Sequence, residues 1–409
     1  MKISRANIIF YIVAFVAFGN LLFGHSFANI LILNIPLNVL FLLTALLLIL
    51  NRIPQIIFEY KVLTPLIIWS IFFLMFHGFS DAFNNGLQSL RAAHQNLDAL
   101  WILVSIYLFS YKSLSKKLIN FFYVLVMLKI LSYFFVQDFG AIYSFEGRNK
   151  IFFPLKDFLM LNLYGMLFVG SILFSAHNRL INFLTLTFIF YIIQSRVFFL
   201  SIILIIANHI FFTKKFIKPF LVVVLSFFFF FICSYAMSFL NVGTNKYDPM
   251  LIAGNFFDYF LYSIPGRSEL FSPSSQGLSQ RLMWANDALN LLNHIPSAIF
   301  GVGFNVALTD HPGVHELHNS YLTQLIRSGF VGFILWFYFH LITYKRTFLK
   351  QKNRIRNNSL SKAPSLSFVL ITGLYLTALV EPVFELPSFS IIIYLLIGYN
   401  LIENNKERS

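Results

Sequence analysis

Of the 409 residues, 58% are hydrophobic and only 11% carry a charge, and the mean hydropathy is +0.75. An ordinary soluble domain is nearer half apolar and a quarter charged, so a soluble globular fold is excluded. The net charge of +14 does not indicate nucleic acid as a partner, because the basic residues flank apolar runs instead of gathering into a patch.

Repeated apolar runs of roughly 15 to 22 residues match helices that cross a bilayer, and the alternating pattern of an outer-membrane barrel is missing. The expected fold is all-α, a polytopic bundle of about twelve transmembrane helices. In chain order the spans are expected at 7–23, 30–50, 62–79, 97–111, 118–135, 158–175, 180–193, 197–212, 220–240, 322–344, 366–383 and 389–401. The first run lacks a small-residue cleavage site and reads as a retained helix. Pro36 is a candidate kink in the second span. Cys233, the lone cysteine, lies in an apolar run, which leaves neither an intramolecular disulfide nor a cysteine-based metal site.

Basic residues fall in alternate connections, which sets orientation by the positive-inside rule. With Lys2 and Arg5 cytoplasmic, Arg52, Lys61, Lys112, Lys116, Lys117, Arg179, Lys214, Lys215, Lys218 and the run 345–362 share that side, as does the C-terminus. This organisation gives three regions: 1–240 with nine spans, a long polar exoplasmic loop at 241–320, and 321–409 with three spans and a basic cytoplasmic loop.

Basic residues that break the sidedness pattern need another reason to exist. Arg196 follows Gln194 and Ser195 in a turn so short that its charge is left at membrane depth, where an unpaired cation is costly. A guanidinium there is suited to bidentate binding of phosphoryl oxygens. Within the loop, 278–293 reads as an amphipathic helix with Leu282, Ala285, Leu289 and Leu292 on one stripe and Arg281 in its first turn. A cation opposes the macrodipole at that end, and the site favours an anion. Residues 295–305, with Pro296, Gly301 and Gly303, read as a turn-rich return. Arg91, just before the fourth span, is either an anion contact or an interfacial anchor.

The loop closes on His318 and Asn319 at the mouth of the tenth span, where Leu322, Leu325, Gly329, Gly332 and Trp336 continue an apolar helix. The small residues allow close approach of another helix. Imidazole is the side chain best suited to take a proton near neutral pH. His311, His315, His318 and Glu316 include common zinc-ligand types. Pro312 and Gly313 interrupt any helix that would align them, however, and no metal is expected.

These residues resemble the O-antigen polymerase and O-antigen ligase superfamily, whose members share a histidine-asparagine pair and a glycine-containing helix after a large periplasmic loop. The specific likeness lies in three short stretches: 318–336, the turn ending at Arg196, and 279–284 around Arg281. Span count and loop placement extend it loosely over the chain. The resemblance implies a glycosyltransferase of the bacterial inner membrane with a periplasmic active site. Its donor would be an undecaprenyl-diphosphate-linked glycan, and it would invert the anomeric carbon without metal or other cofactor. By the same resemblance, His318 would activate the acceptor hydroxyl, Arg196 and Arg281, with Arg91, would bind the diphosphate, and Asn319 would support the site. A chain-length regulator and a flippase are the implied partners, beside membrane lipid. Polymerase is the first expectation; a ligase acting on lipid A-core, and a glycolipid flippase or exporter, are the alternatives.

Overall fold

The structure is a computed structural model. It describes residues 4–23, 27, 30–32, 35–78, 94–111, scattered positions in 113–128, 173, 196–222, 224–225, 228, 283–303, 306–308, 317, 319–356, 366–379, 383–385 and 387–405. The expected spans at 158–175 and 180–193 fall almost wholly outside the described residues, as does most of the fifth span, at 118–135, and of the ninth, at 220–240.

The described chain is mostly helical. The helices are α1 (Arg5–Phe23), α2 (Leu37–Ile49), α3 (Ile53–Glu59), α4 (Thr64–Phe73), α5 (His94–Asp98), α6 (Trp101–Phe109), α7 (Arg196–Thr213), α8 (residues 283–290), α9 (Ile295–Phe300), α10 (Ser320–Arg356), α11 (Leu366–Thr377) and α12 (Pro387–Asn405). Four helical stretches among the described residues are long and apolar enough to cross a membrane: Arg5–Leu22, Leu37–Glu59, Lys61–Gly78 and Ser320–Asn353. Shorter apolar helices stand at Asn96–Phe109, Phe368–Thr377 and Phe389–Glu403. These features make the protein a helical membrane protein.

The second span differs from its expected form. Residues Leu31–Ile32 pair antiparallel with Ile35–Pro36 in a small hairpin, and the helix starts only at Leu37. Pro36 therefore precedes a helix and does not kink one, as suits a residue that cannot donate a hydrogen bond inside a helix but is tolerated at its start. Pro54 and Pro65 likewise occupy the first turns of α3 and α4.

Lipid tails are as apolar as leucine, so helices in a membrane associate through close packing and polar contacts, not through removal from water. The interior shows both. Helix α6 packs along α12, α4 along α10, and α7 along α11. A Cβ placed on Gly398 of α12 would meet the side chain of Ser105, whose hydroxyl donates to the Leu395 carbonyl at 2.7 Å. Asn20 and Asn38 exchange amide hydrogen bonds of 3.2 and 3.1 Å between α1 and α2. Trp69, Trp101, Trp336, Phe339 and Tyr394 fill the centre.

Helix α10 spans 37 residues in two helical pieces that meet at Gly329; the second, 330–356, is about 40 Å long at 1.5 Å per residue, more than a ~30 Å hydrocarbon core. The basic residues from Lys345 onward occupy the end of this second piece. Phe348 in that part packs on Phe211 and Phe212, with ring centroids at 6.0 and 5.5 Å. The end of α7, and hence Lys214 and Lys215, thus shares one end of the bundle with Lys345 and Arg346.

Two readings of the polar loop are corrected. The stretch expected as a turn-rich return contains the short helix α9, because Pro296 sits in its first turn and Gly301 stops it with φ +82°. The buried stripe of α8 is also rotated from the expected one. Of the expected stripe, Leu292 packs on the small core but Leu289 is exposed, and the fully buried position is Ala288, with Trp284 and Leu291 beside it. Several apolar registers fit so short a helix, and its docking partner selects among them.

Candidate functional site at the start of helix α10

The first turn of α10 is tied down from several directions. Asn319 is the residue before the helix, and its side-chain oxygen accepts the Leu322 N–H at 2.9 Å, the geometry of an N-cap. Its carbonyl takes the Thr323 hydroxyl at 2.9 Å. Ser320 begins the helix with its own N–H on the Ala378 carbonyl at the end of α11, 2.8 Å away.

Ser320 is the hub of a buried polar network. Its hydroxyl donates to one carboxylate oxygen of Glu385 at 2.6 Å, and Gln324 Nε2 donates to the other at 3.1 Å. The Ser320 oxygen in turn accepts the backbone N–H groups of Val383 and Phe384 at 2.7 and 3.2 Å. Positions 320 and 324 lie four apart and face the same way on the helix, so both reach one carboxylate. All three side chains are buried. The polar contacts join α10 to the segment between α11 and α12, and Tyr321 adds a hydrogen bond of 2.9 Å to the Tyr375 carbonyl.

Two turns further on the helix breaks. Gly329 has φ +62° and ψ −174°, far from helical values. Breaking the ladder frees carbonyls that would otherwise accept from residues beyond the glycine, and in a membrane such groups must find other partners. They do: Ile326 and Arg327 carbonyls accept from Val302 and Gly303 at 3.0 and 3.1 Å. The backbones come so close that a Cβ on Gly301 would meet the Arg327 carbonyl, and one on Gly329 would meet the Ile299 carbonyl. Arg327, only 2% exposed, donates from one guanidinium nitrogen to the carbonyls of Gly303 (3.0 Å) and Val306 (3.3 Å).

The loop is thus sewn into the side of a broken membrane helix. A small apolar core of Ala288, Leu308, Leu317 and Ile326 fastens α8 and the 306–308 turn to the same face. From the other side, Phe72 and Phe76 pack on Phe300, and His77 Nε2 lies 2.7 Å from the Phe300 carbonyl, a contact in which the imidazole must be the donor. The sequence reading had assigned Gly329 and Gly332 to close approach of a helix. Gly332 does face Phe73 of α4, but Gly329 meets α9 and is the break itself.

Of the sequence-predicted site residues, Asn319 is described and serves as the cap. His318, Arg281 and Arg91 lie outside the described residues. Arg196 opens α7, and its side chain is outside them. Leu317 and Asn319, the neighbours of His318 in sequence, belong respectively to the small apolar core and to the cap. Among the described residues no three His, Cys, Asp or Glu side chains gather in a way that could hold a metal; the histidines at 311, 315 and 318 are not among them. Ser320, Gln324, Glu385 and the anchoring role of Arg327 were missed by sequence reasoning. The available signal for Glu385 was a pair of acids, Glu381 and Glu385, between two apolar helices, since ionisable groups in such surroundings require partners.

No protein-family model and no curated protein matches the chain.

Proposed function

We propose that the protein is a glycosyltransferase of the bacterial inner membrane that polymerises glycan repeat units carried on undecaprenyl diphosphate, acting at the periplasmic face. The observation that carries this reading is the anchorage of α10 directly after His318: an asparagine cap, a buried serine-glutamate-glutamine network, and a polar loop bonded to the broken helix. A catalytic group gains most when its backbone is held in one geometry, and this segment is bound on both sides of the histidine.

In the proposed reaction the His318 imidazole takes the proton of an acceptor hydroxyl. The hydroxyl oxygen then forms a bond to the anomeric carbon of the donor glycan while the bond from that carbon to the phosphate oxygen breaks. Undecaprenyl diphosphate departs with the bonding electron pair, and the anomeric configuration inverts in this single displacement. Arg196 and Arg281, with Arg91, stabilise the charge that develops on the leaving diphosphate, the kind of electrostatic term that is often the largest in catalysis. Asn319 and the Glu385 network position the histidine.

The reading is tested by reconstituting the purified protein with defined undecaprenyl-diphosphate-linked repeat units. Polymer longer than one unit is the expected product, absent in His318→Ala and unaffected by a metal chelator. Product from His318→Ala would overturn the role of the histidine. Transfer only when lipid A-core is supplied would make the protein a ligase. Movement of labelled glycolipid between leaflets without a new glycosidic bond would make it an exporter.

A further inference from the structure

At the far end of the bundle from the α10 anchorage, the chain leaving α7 forms a cavity of about 570 Å³ whose lining combines three lysines, Lys214, Lys215 and Lys218, with apolar residues that include Ile217, Leu221 and Leu225. Among the described residues, no acidic side chain lines it. The apolar face is open, with Ile217 at 75%, Leu221 at 48% and Leu225 at 43% exposure. In a membrane protein this is the surface that meets acyl chains.

The basic side is built into the fold. Lys214 has φ +57°, a left-handed conformation that glycine ordinarily supplies at a helix end, and its N–H closes α7 on the Ile210 carbonyl at 2.8 Å. Its ammonium stands 5.2 Å from the Phe211 ring centroid. Lys218 Nζ donates to the Leu173 carbonyl at 2.9 Å, which holds its charge at the cavity. The Lys215 side chain is exposed beside them. Stacked Phe216 and Phe220, 5.5 Å apart, stiffen the chain where it turns into the next helical stretch.

From Lys218 to Leu225 a helical stretch rises about 10 Å, enough to place a cationic head and an apolar slot within one elongated site. That combination matches an amphiphile with an anionic head. We propose that this cavity binds one anionic phospholipid from the leaflet at that end of α7. Its phosphate sits among Lys214, Lys215 and Lys218, and one acyl chain follows Ile217, Leu221 and Leu225. The site stands apart from the chemistry proposed at α10.

The experiment measures binding of phosphatidylglycerol and phosphatidylcholine to the full-length protein in detergent by native mass spectrometry. The unaltered protein is expected to retain phosphatidylglycerol preferentially. Lys214→Gln/Lys215→Gln is expected to weaken that binding by about thirtyfold, from the charge attraction of two lysines. Lys214→Arg/Lys215→Arg should restore it, and Lys345→Gln/Arg346→Gln, at the same end of the bundle, should leave it unchanged. The glutamine pair at 214 and 215 leaves the Lys218 tie intact, and retained melting temperature separates lost binding from lost folding. Equal retention of phosphatidylcholine, unchanged binding in the glutamine variant, or equal loss in the 345/346 control would overturn the proposal. Displacement of the lipid by glycerol phosphate at comparable concentration would also overturn it, since the apolar slot would then contribute nothing.

Discussion

Replacing Glu385 with alanine tests whether the buried network holds the start of α10. The carboxylate accepts one hydrogen bond from Ser320 and one from Gln324, and it is 1% exposed. If only the net value of two hydrogen bonds in a membrane protein were lost, at ~0.6 kcal/mol each, the cost would be about 1 kcal/mol. Alanine does more, because it leaves a hydroxyl and an amide donor buried without an acceptor, at about 1–3 kcal/mol each. The Ser320 hydroxyl can turn toward another carbonyl and recover part of this. The expected loss is therefore about 2–4 kcal/mol. For a chain of this length that corresponds to a fall in melting temperature of about 2–5 °C, by extension of the trend in which larger proteins shift less per kcal/mol. Glu385→Gln keeps one acceptor oxygen and should fall between. Ser320→Ala combined with Glu385→Ala should cost clearly less than the sum of the two single changes, since the pair is coupled. Thermal melting of the purified protein in one detergent reads all four. A Glu385→Ala protein that melts with the parent, or strict additivity with Ser320→Ala, would refute the argument.

Gly329→Ala should be more damaging than an ordinary helix substitution, by about 2 kcal/mol or more, because φ is positive there and the added Cβ would strike the Ile299 carbonyl; poor expression or a lowered melting temperature is the expected readout, while Gly373→Ala in the helical run of α11 serves as the comparison. Asn319→Ala should cost about 1 kcal/mol of stability from the lost cap and Asn319→Asp much less, measured by the same melts. Arg196→Lys should weaken binding of the diphosphate-linked donor despite keeping the charge, because the planar fork is lost; unchanged donor affinity in a reconstituted assay would remove Arg196 from the site.

The membrane class and several helix positions were legible because they depend on local composition. The expected spans at 7–23 and 62–79 agree closely with the helical stretches Arg5–Leu22 and Lys61–Gly78. The start of the tenth span was likewise readable from Asn319 and Ser320, whose types favour the end of a helix over its interior. The hairpin at 31–36 was not, since apolar residues flanking a proline are compatible with a continuous span until the pairing of Ile32 with Ile35 is seen.

The site itself was only half legible, for a reason of distance along the chain. Gly329 and Gly332 look alike in sequence, yet one breaks a helix against Gly301 and the other seats it on Phe73. What distinguishes them is a partner 28 or more residues away, which no helical periodicity encodes. Glu385 meets Ser320 across 65 residues, and Arg327 meets Gly303 across 24. In each case a polar group in apolar surroundings announced that a partner must exist, while its identity came only from the fold. The same logic gives the broken helix its significance. A membrane span keeps an exposed break only where other backbone repairs it, and here the repair is made by the polar loop that leads into His318, so any change that detaches the loop also loosens the helix on which the proposed chemistry depends.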